Sequence, residues 1–90
     1  MPPIIRDLHK KAYIASATTT LVKTGAGGLY RLIIGGTLGA ITIYDALTAT
    51  GTPIALFTPA ASGVWDIGLK FDTGLTIVTA TAMTIAVSYE

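Results

Sequence analysis

Three features of this sequence predict an all-β domain: an antiparallel β-sandwich, jelly-roll-like, with an extended N-terminal arm. Short runs of β-branched and aromatic residues recur along the chain, the side chains that pack well on a pleated surface. Gly, Pro, Asp and Thr clusters separate these runs at intervals of about eight to twelve residues. The clearest runs alternate apolar and polar side chains with the period of two that a half-buried strand requires. No stretch holds a convincing helical period. Seven or eight short strands fit a sandwich or a small barrel. An eight-stranded jelly roll is the expectation and an immunoglobulin-like sandwich the alternative, since periodicity does not give strand order.

The elements follow in order. Residues 1–11 read as an arm, because Pro2 and Pro3 disfavour a helical start. A first strand region runs through Tyr13–Val22, with Thr18, Thr19 and Thr20 suiting an edge or a subunit contact. Lys23–Gly28 is a turn. Its glycines do not make a phosphate cradle, since the Lys precedes them and a strand follows. Gly28–Asp45 reads as a hairpin around Gly35, Gly36 and Gly39, with Tyr30, Leu32 and Ile34 inward and facing Ile41 and Ile43. Pro53–Thr58 is a short strand, Ile54 and Leu56 on one face and Phe57 on the other. Val64–Phe71 alternates most cleanly, with Trp65, Ile67, Leu69 and Phe71 inward. Asp72–Gly74 turns the chain. Leu75–Thr79 and Met83–Tyr89 follow, with Leu75, Ile77, Met83, Ile85, Val87 and Tyr89 inward.

Ninety residues make one domain of 12–90 behind the arm of 1–11. Charged residues are only 12%, against about 25% in ordinary soluble chains. A small domain has much surface per residue, so this shortage leaves uncharged surface outward and favours burial in an assembly. There is no Cys, so neither disulfides nor a thiolate metal site reinforces the fold. The uncharged stretch 46–65 is broken by Pro53, Pro59, Gly51 and Gly63, which does not suit a membrane-spanning helix. A membrane partner is therefore not expected. The net charge of +1 is unevenly spread. The arm holds Arg6, Lys10 and Lys11 against Asp7, while the rest of the chain is slightly acidic. Ile4, Ile5 and Leu8 are unusual in a purely solvated tail. Together with Arg6, His9, Lys10 and Lys11 they make the arm a candidate partner-binding segment.

Groups that carry chemistry are sparse. His9 is the one histidine, and zinc needs three or four ligands. Ser16, Ser62 and the Asp residues can be combined with His9 into a triad only on paper, because triads are recognised by geometry. Asp66 falls on a polar strand face and Asp72 in a turn. Asp45, at a strand end, is placed to accept bonds from backbone amides of the loop that follows it. No run of carboxylates has calcium-loop spacing. The basic residues are scattered rather than striped, which argues against nucleic acid. Catalytic, cofactor and metal residues are thus expected to be none. Tyr44 and Phe57 fall out of phase with the expected core and form a candidate exposed contact patch, for a subunit or a sugar.

Several stretches together carry a family resemblance. They are Gly27-Gly-Leu-Tyr-Arg-Leu-Ile-Ile34, Ile41-Thr-Ile-Tyr-Asp45, Gly51-Thr-Pro-Ile-Ala55, Phe71-Asp-Thr-Gly-Leu-Thr-Ile-Val78 and Met83-Thr-Ile-Ala-Val-Ser-Tyr89. In these the chain resembles small all-β structural proteins of tailed bacteriophages, of the head decoration or cement type. The resemblance implies a non-enzymatic virion protein on the capsid surface, assembled in the host cytoplasm. It also implies a homo-oligomer, commonly a trimer, bound to the major capsid protein or another virion component. The alternative is a carbohydrate- or receptor-binding module of a phage tail or fibre.

Overall fold

The computed structural model describes residues 10–90 as two packed four-stranded sheets. The strands are β1 Lys10–Ile14, β2 Thr19–Thr24, β3 Gly27–Gly36, β4 Ile41–Tyr44, β5 Ala55–Phe57, β6 Gly63–Phe71, β7 Gly74–Thr79 and β8 Met83–Tyr89. One sheet has the order β1-β8-β3-β6 and the other β2-β7-β4-β5. Every pairing is antiparallel. Ile4, Ile5, Arg6, Leu8 and His9 of the expected arm lie outside the described residues. Lys10 and Lys11 do not belong to an arm. They are the first two residues of β1, paired with Tyr89 and Ser88.

The core forms where the inward phases of the two sheets meet. Leu29, Leu32 and Ile34 of β3 join Met83, Ile85 and Val87 of β8, Ile14 of β1 and Phe71 of β6. Ile41 and Ile43 of β4 and Leu75 and Ile77 of β7 come from the other sheet. The inward phase expected for β7 and the first part of β8 is observed. Tyr89, at the end of β8, is half-buried.

Three local expectations are corrected. First, β3 and β4 are not a hairpin. β3 pairs with β6 and β8, β4 with β5 and β7, and residues 37–40 carry the chain from one sheet to the other. Leu32 and Ile34 still face Ile41 and Ile43, but across the core rather than along a shared ladder. The region Tyr13–Val22 likewise divides into β1 and β2, one in each sheet. Second, Tyr30 does not point into the core with Leu32. Leu29 and Arg31 pair with the successive β8 residues Tyr89 and Ser88, leaving Tyr30 as an extra residue in a bulge. One extra residue reverses the alternation, so the inward position before Leu32 is Leu29. Third, Trp65 has the inward phase but is 36% exposed, and Ile67 and Leu69 are only half-buried. β6 is one of the two outer strands of its sheet, and a register break opposite Tyr30 interrupts it. Gly68 sits there at φ +67°, a left-handed angle that costs glycine little.

Threonine hydroxyls tie the crossovers to the sheets. The Thr79 hydroxyl, buried, donates to the Ser16 carbonyl at 2.6 Å and accepts from the Thr18 amide at 3.1 Å. The Thr76 hydroxyl donates to the Ala46 carbonyl at 2.7 Å. Both side chains would otherwise leave a polar atom buried without a partner, an expensive arrangement.

Candidate association surface

Among the described residues no group of three or more His, Asp or Glu is placed to hold a metal ion. The carboxylates lie apart. Asp45 accepts the backbone amides of Thr73 at 2.7 Å, Asp72 at 2.9 Å and Gly74 at 3.3 Å. Its partner is therefore the turn between β6 and β7, not the loop that follows Asp45. These bonds, from Thr73 foremost and then Asp72, hold its carboxyl below the usual aspartate range. Asp66 pairs with Arg31 on the neighbouring strand at 2.9 Å, both side chains exposed.

At one end of the first sheet, Gly28, Tyr30, Gly68, Lys70 and Glu90 line a shallow open depression. The Tyr30 hydroxyl donates to the Glu90 carboxylate, which raises the pKa of the phenol. The Lys23 ammonium donates to the Glu90 carbonyl at 3.0 Å. The first bond holds the end of β8 against β3, and the second ties it to β2 of the other sheet. They consume the polar groups rather than aim them at a common point.

Tyr44 and Phe57, the two aromatics expected to form a contact patch, do not come together. Phe57 lies opposite Ile41, so it shares the inward phase and packs against the core. Tyr44 is three residues beyond Ile41, so it has the outward phase, and it is half-buried. Phe57 instead meets Trp65 of the other sheet, with ring centroids 6.1 Å apart and planes tilted by 46°. That spacing suits a favourable ring contact. The pair closes the side of the core between the outer strands β5 and β6. Leu56, beside Phe57, has the outward phase and is 65% exposed.

Among the described residues, three of the seven exposed large apolar ones fall in one row. Residues directly opposite one another in an antiparallel ladder point to the same face. Tyr13 lies opposite Ala86, Ala86 opposite Ile33, and Ile33 opposite Val64. This makes a row across all four strands of the first sheet, on its outward face. Tyr13 is 69% exposed, Ile33 49% and Val64 59%. A second row beside it is polar: Lys11, Ser88, Arg31 and Asp66 in the same strand order. The outward face of the second sheet carries Thr19, Leu21, Thr42, Tyr44, Leu56, Thr76 and Val78 and no charge between Thr19 and Leu21 on β2 or on β4, β5 and β7.

The row is not legible in the sequence. Its members come from four separated segments, and each is an ordinary outward residue of its own strand. Only the ladder registers align them. The chain matches no protein-family model, no curated protein and no solved structure.

Proposed function

We propose that this chain is a non-enzymatic structural protein of a phage virion, a decoration or cement protein that associates with itself and with the capsid shell. The observation that carries the reading is the exposed apolar row on a domain with few charges. Burying apolar surface is favourable by roughly 25 cal/mol per Å², and surface arranged in a continuous row can be covered by one flat partner. We read the two sheets as a jelly-roll sandwich. The orders β1-β8-β3-β6 and β2-β7-β4-β5 support this, because two interleaved Greek keys distribute eight strands in that way, and capsid domains are among the users of that architecture.

In this reading the protein works by adhesion. It lies across joints between shell subunits, and each bound copy stabilises the assembled state by mass action. The trimer and the major capsid protein partner implied by the family resemblance belong to the same proposal, as does the docking role of the segment before β1. The test is to prepare particles from the genome that encodes the chain, label them with an antibody to the purified protein and image them by electron microscopy. Label on the heads is expected. Label confined to tails or fibres would favour the receptor-binding alternative, and unlabelled particles would end the virion reading.

A further inference from the structure

We infer that the outward face of the β1-β8-β3-β6 sheet is covered by the same face of a second copy, related by a two-fold axis parallel to the strands. This rests on the self-association reading above and names the surface and its symmetry. The argument is positional. Such an axis places the strand order β1-β8-β3-β6 over its own reverse. Tyr13 then lies over Val64 of the second copy, and Ala86 over Ile33. Within the apolar row, the small residue meets a large one. In the polar row Lys11 lies over Asp66, twice in the pair, and Ser88 over Arg31. Thr84, which is opposite Gly35 in the ladder, lies over Gly35 of the second copy, where no side chain competes for space. A two-fold contact requires one surface to be complementary to itself. Here apolar meets apolar, cation meets anion and bulk meets gap under a single operation.

The size is adequate but small. Four strands at about 4.8 Å by about 25 Å of strand length give roughly 500 Å² per copy. The total of about 1,000 Å² is the lower limit for a specific interface. An interface of this size belongs with weak, transient ones, so pairing is to be sought in concentrated protein.

The test begins with the mass of the full chain by sedimentation equilibrium at about 100 μM, a concentration chosen for that weak affinity. An even number of copies is expected, six where the proposed trimers pair through this face, and Ile33→Asp should halve that mass. Val64→Asp, at the strand edge, serves if the first variant does not fold by far-ultraviolet circular dichroism. Leu56→Asp, on the outward face of the other sheet, should leave the mass unchanged. Carbodiimide coupling of an equal mixture of ¹⁴N and ¹⁵N chains should join Lys11 to Asp66 with mixed labels. Within one chain these residues are three strands apart, about 14 Å, so mixed label identifies the intermolecular bond. A trimer would overturn the two-fold inference while sparing self-association. A monomer would overturn both. An even mass that survives Ile33→Asp, or crosslinks without mixed label, would assign association to a different surface.

Discussion

Ile33 and Ile34 are neighbours of identical chemistry in the same strand, and replacing each with Ala separates the two faces of the sheet. Ile34 is 3% exposed and belongs to the core, while Ile33 is 49% exposed. Truncating a buried Ile to Ala removes packed carbons and leaves a cavity, at a cost of about 2–5 kcal/mol. Truncating Ile33 removes three carbons that are about half covered and leaves no cavity. At about 0.8 kcal/mol per fully buried carbon the loss is about 1 kcal/mol. The total stability of a domain is only about 5–15 kcal/mol, so the difference is large. The assay is urea unfolding in protein diluted to about 0.1 μM, which keeps pairing between copies from contributing. With a slope near the low end of about 1–3 kcal/mol per molar, Ile34→Ala should lower the midpoint by about 2 M or more and Ile33→Ala by less than about 1 M. Equal losses would refute the reasoning. They would mean that Ile33 is packed as tightly as Ile34, and the apolar row on the outward face would vanish with it.

Other predictions follow from single contacts. Replacing Asp45 with Ala should destabilise the β6–β7 turn and flatten the acid limb of the stability curve. The folded-state pKa of Asp45 is depressed, so its contribution is present above the ordinary value of about 3.9 and is lost as pH falls through the lower folded value. Melting temperature against pH measures this, and a variant with the wild-type acid slope would contradict it. Gly27→Ala should destabilise by about 1–3 kcal/mol, because a Cβ there would run into the Glu90 carbonyl oxygen and meet the Phe71 ring at 2.9 Å. A drop of about 4–8 °C per kcal/mol is expected, and an unchanged melting temperature would show that the β3–β8 contact is not tight. Deleting residues 1–9 should leave the two sheets folded by circular dichroism and reduce occupancy on particles that lack the protein. The cut is placed before Lys10, since a deletion to residue 11 would remove two rungs of the β1–β8 ladder. Undiminished occupancy would assign attachment to the sheet faces alone.

What the sequence determined by itself is the phase of its regular strands. Side chains on a strand alternate by local geometry, so Leu75 and Ile77, or Met83, Ile85 and Val87, can be placed inward without knowledge of any neighbour. The turns at Asp72–Gly74 and Ala80–Ala82 likewise marked the ends of β7 and β8 to within a residue. Tertiary structure decided everything that depends on a partner distant in the chain. Gly35–Ala40 reads as a hairpin turn because nothing local distinguishes a reversal within one sheet from a passage to another. The bulge at Tyr30 shifts the phase by one, and it arises from the ladders with β6 and β8, not from the residues of β3 alone. Trp65 alternates correctly yet stays partly exposed at the open edge of its sheet, while Phe71 at the other end of β6 is buried. Asp45 finds the amides of Asp72, Thr73 and Gly74 some 27 to 29 residues away, a distance no spacing rule spans. The outward row of Tyr13, Ala86, Ile33 and Val64 has the same origin. Register, which long-range pairing sets, turns four unremarkable positions into one surface.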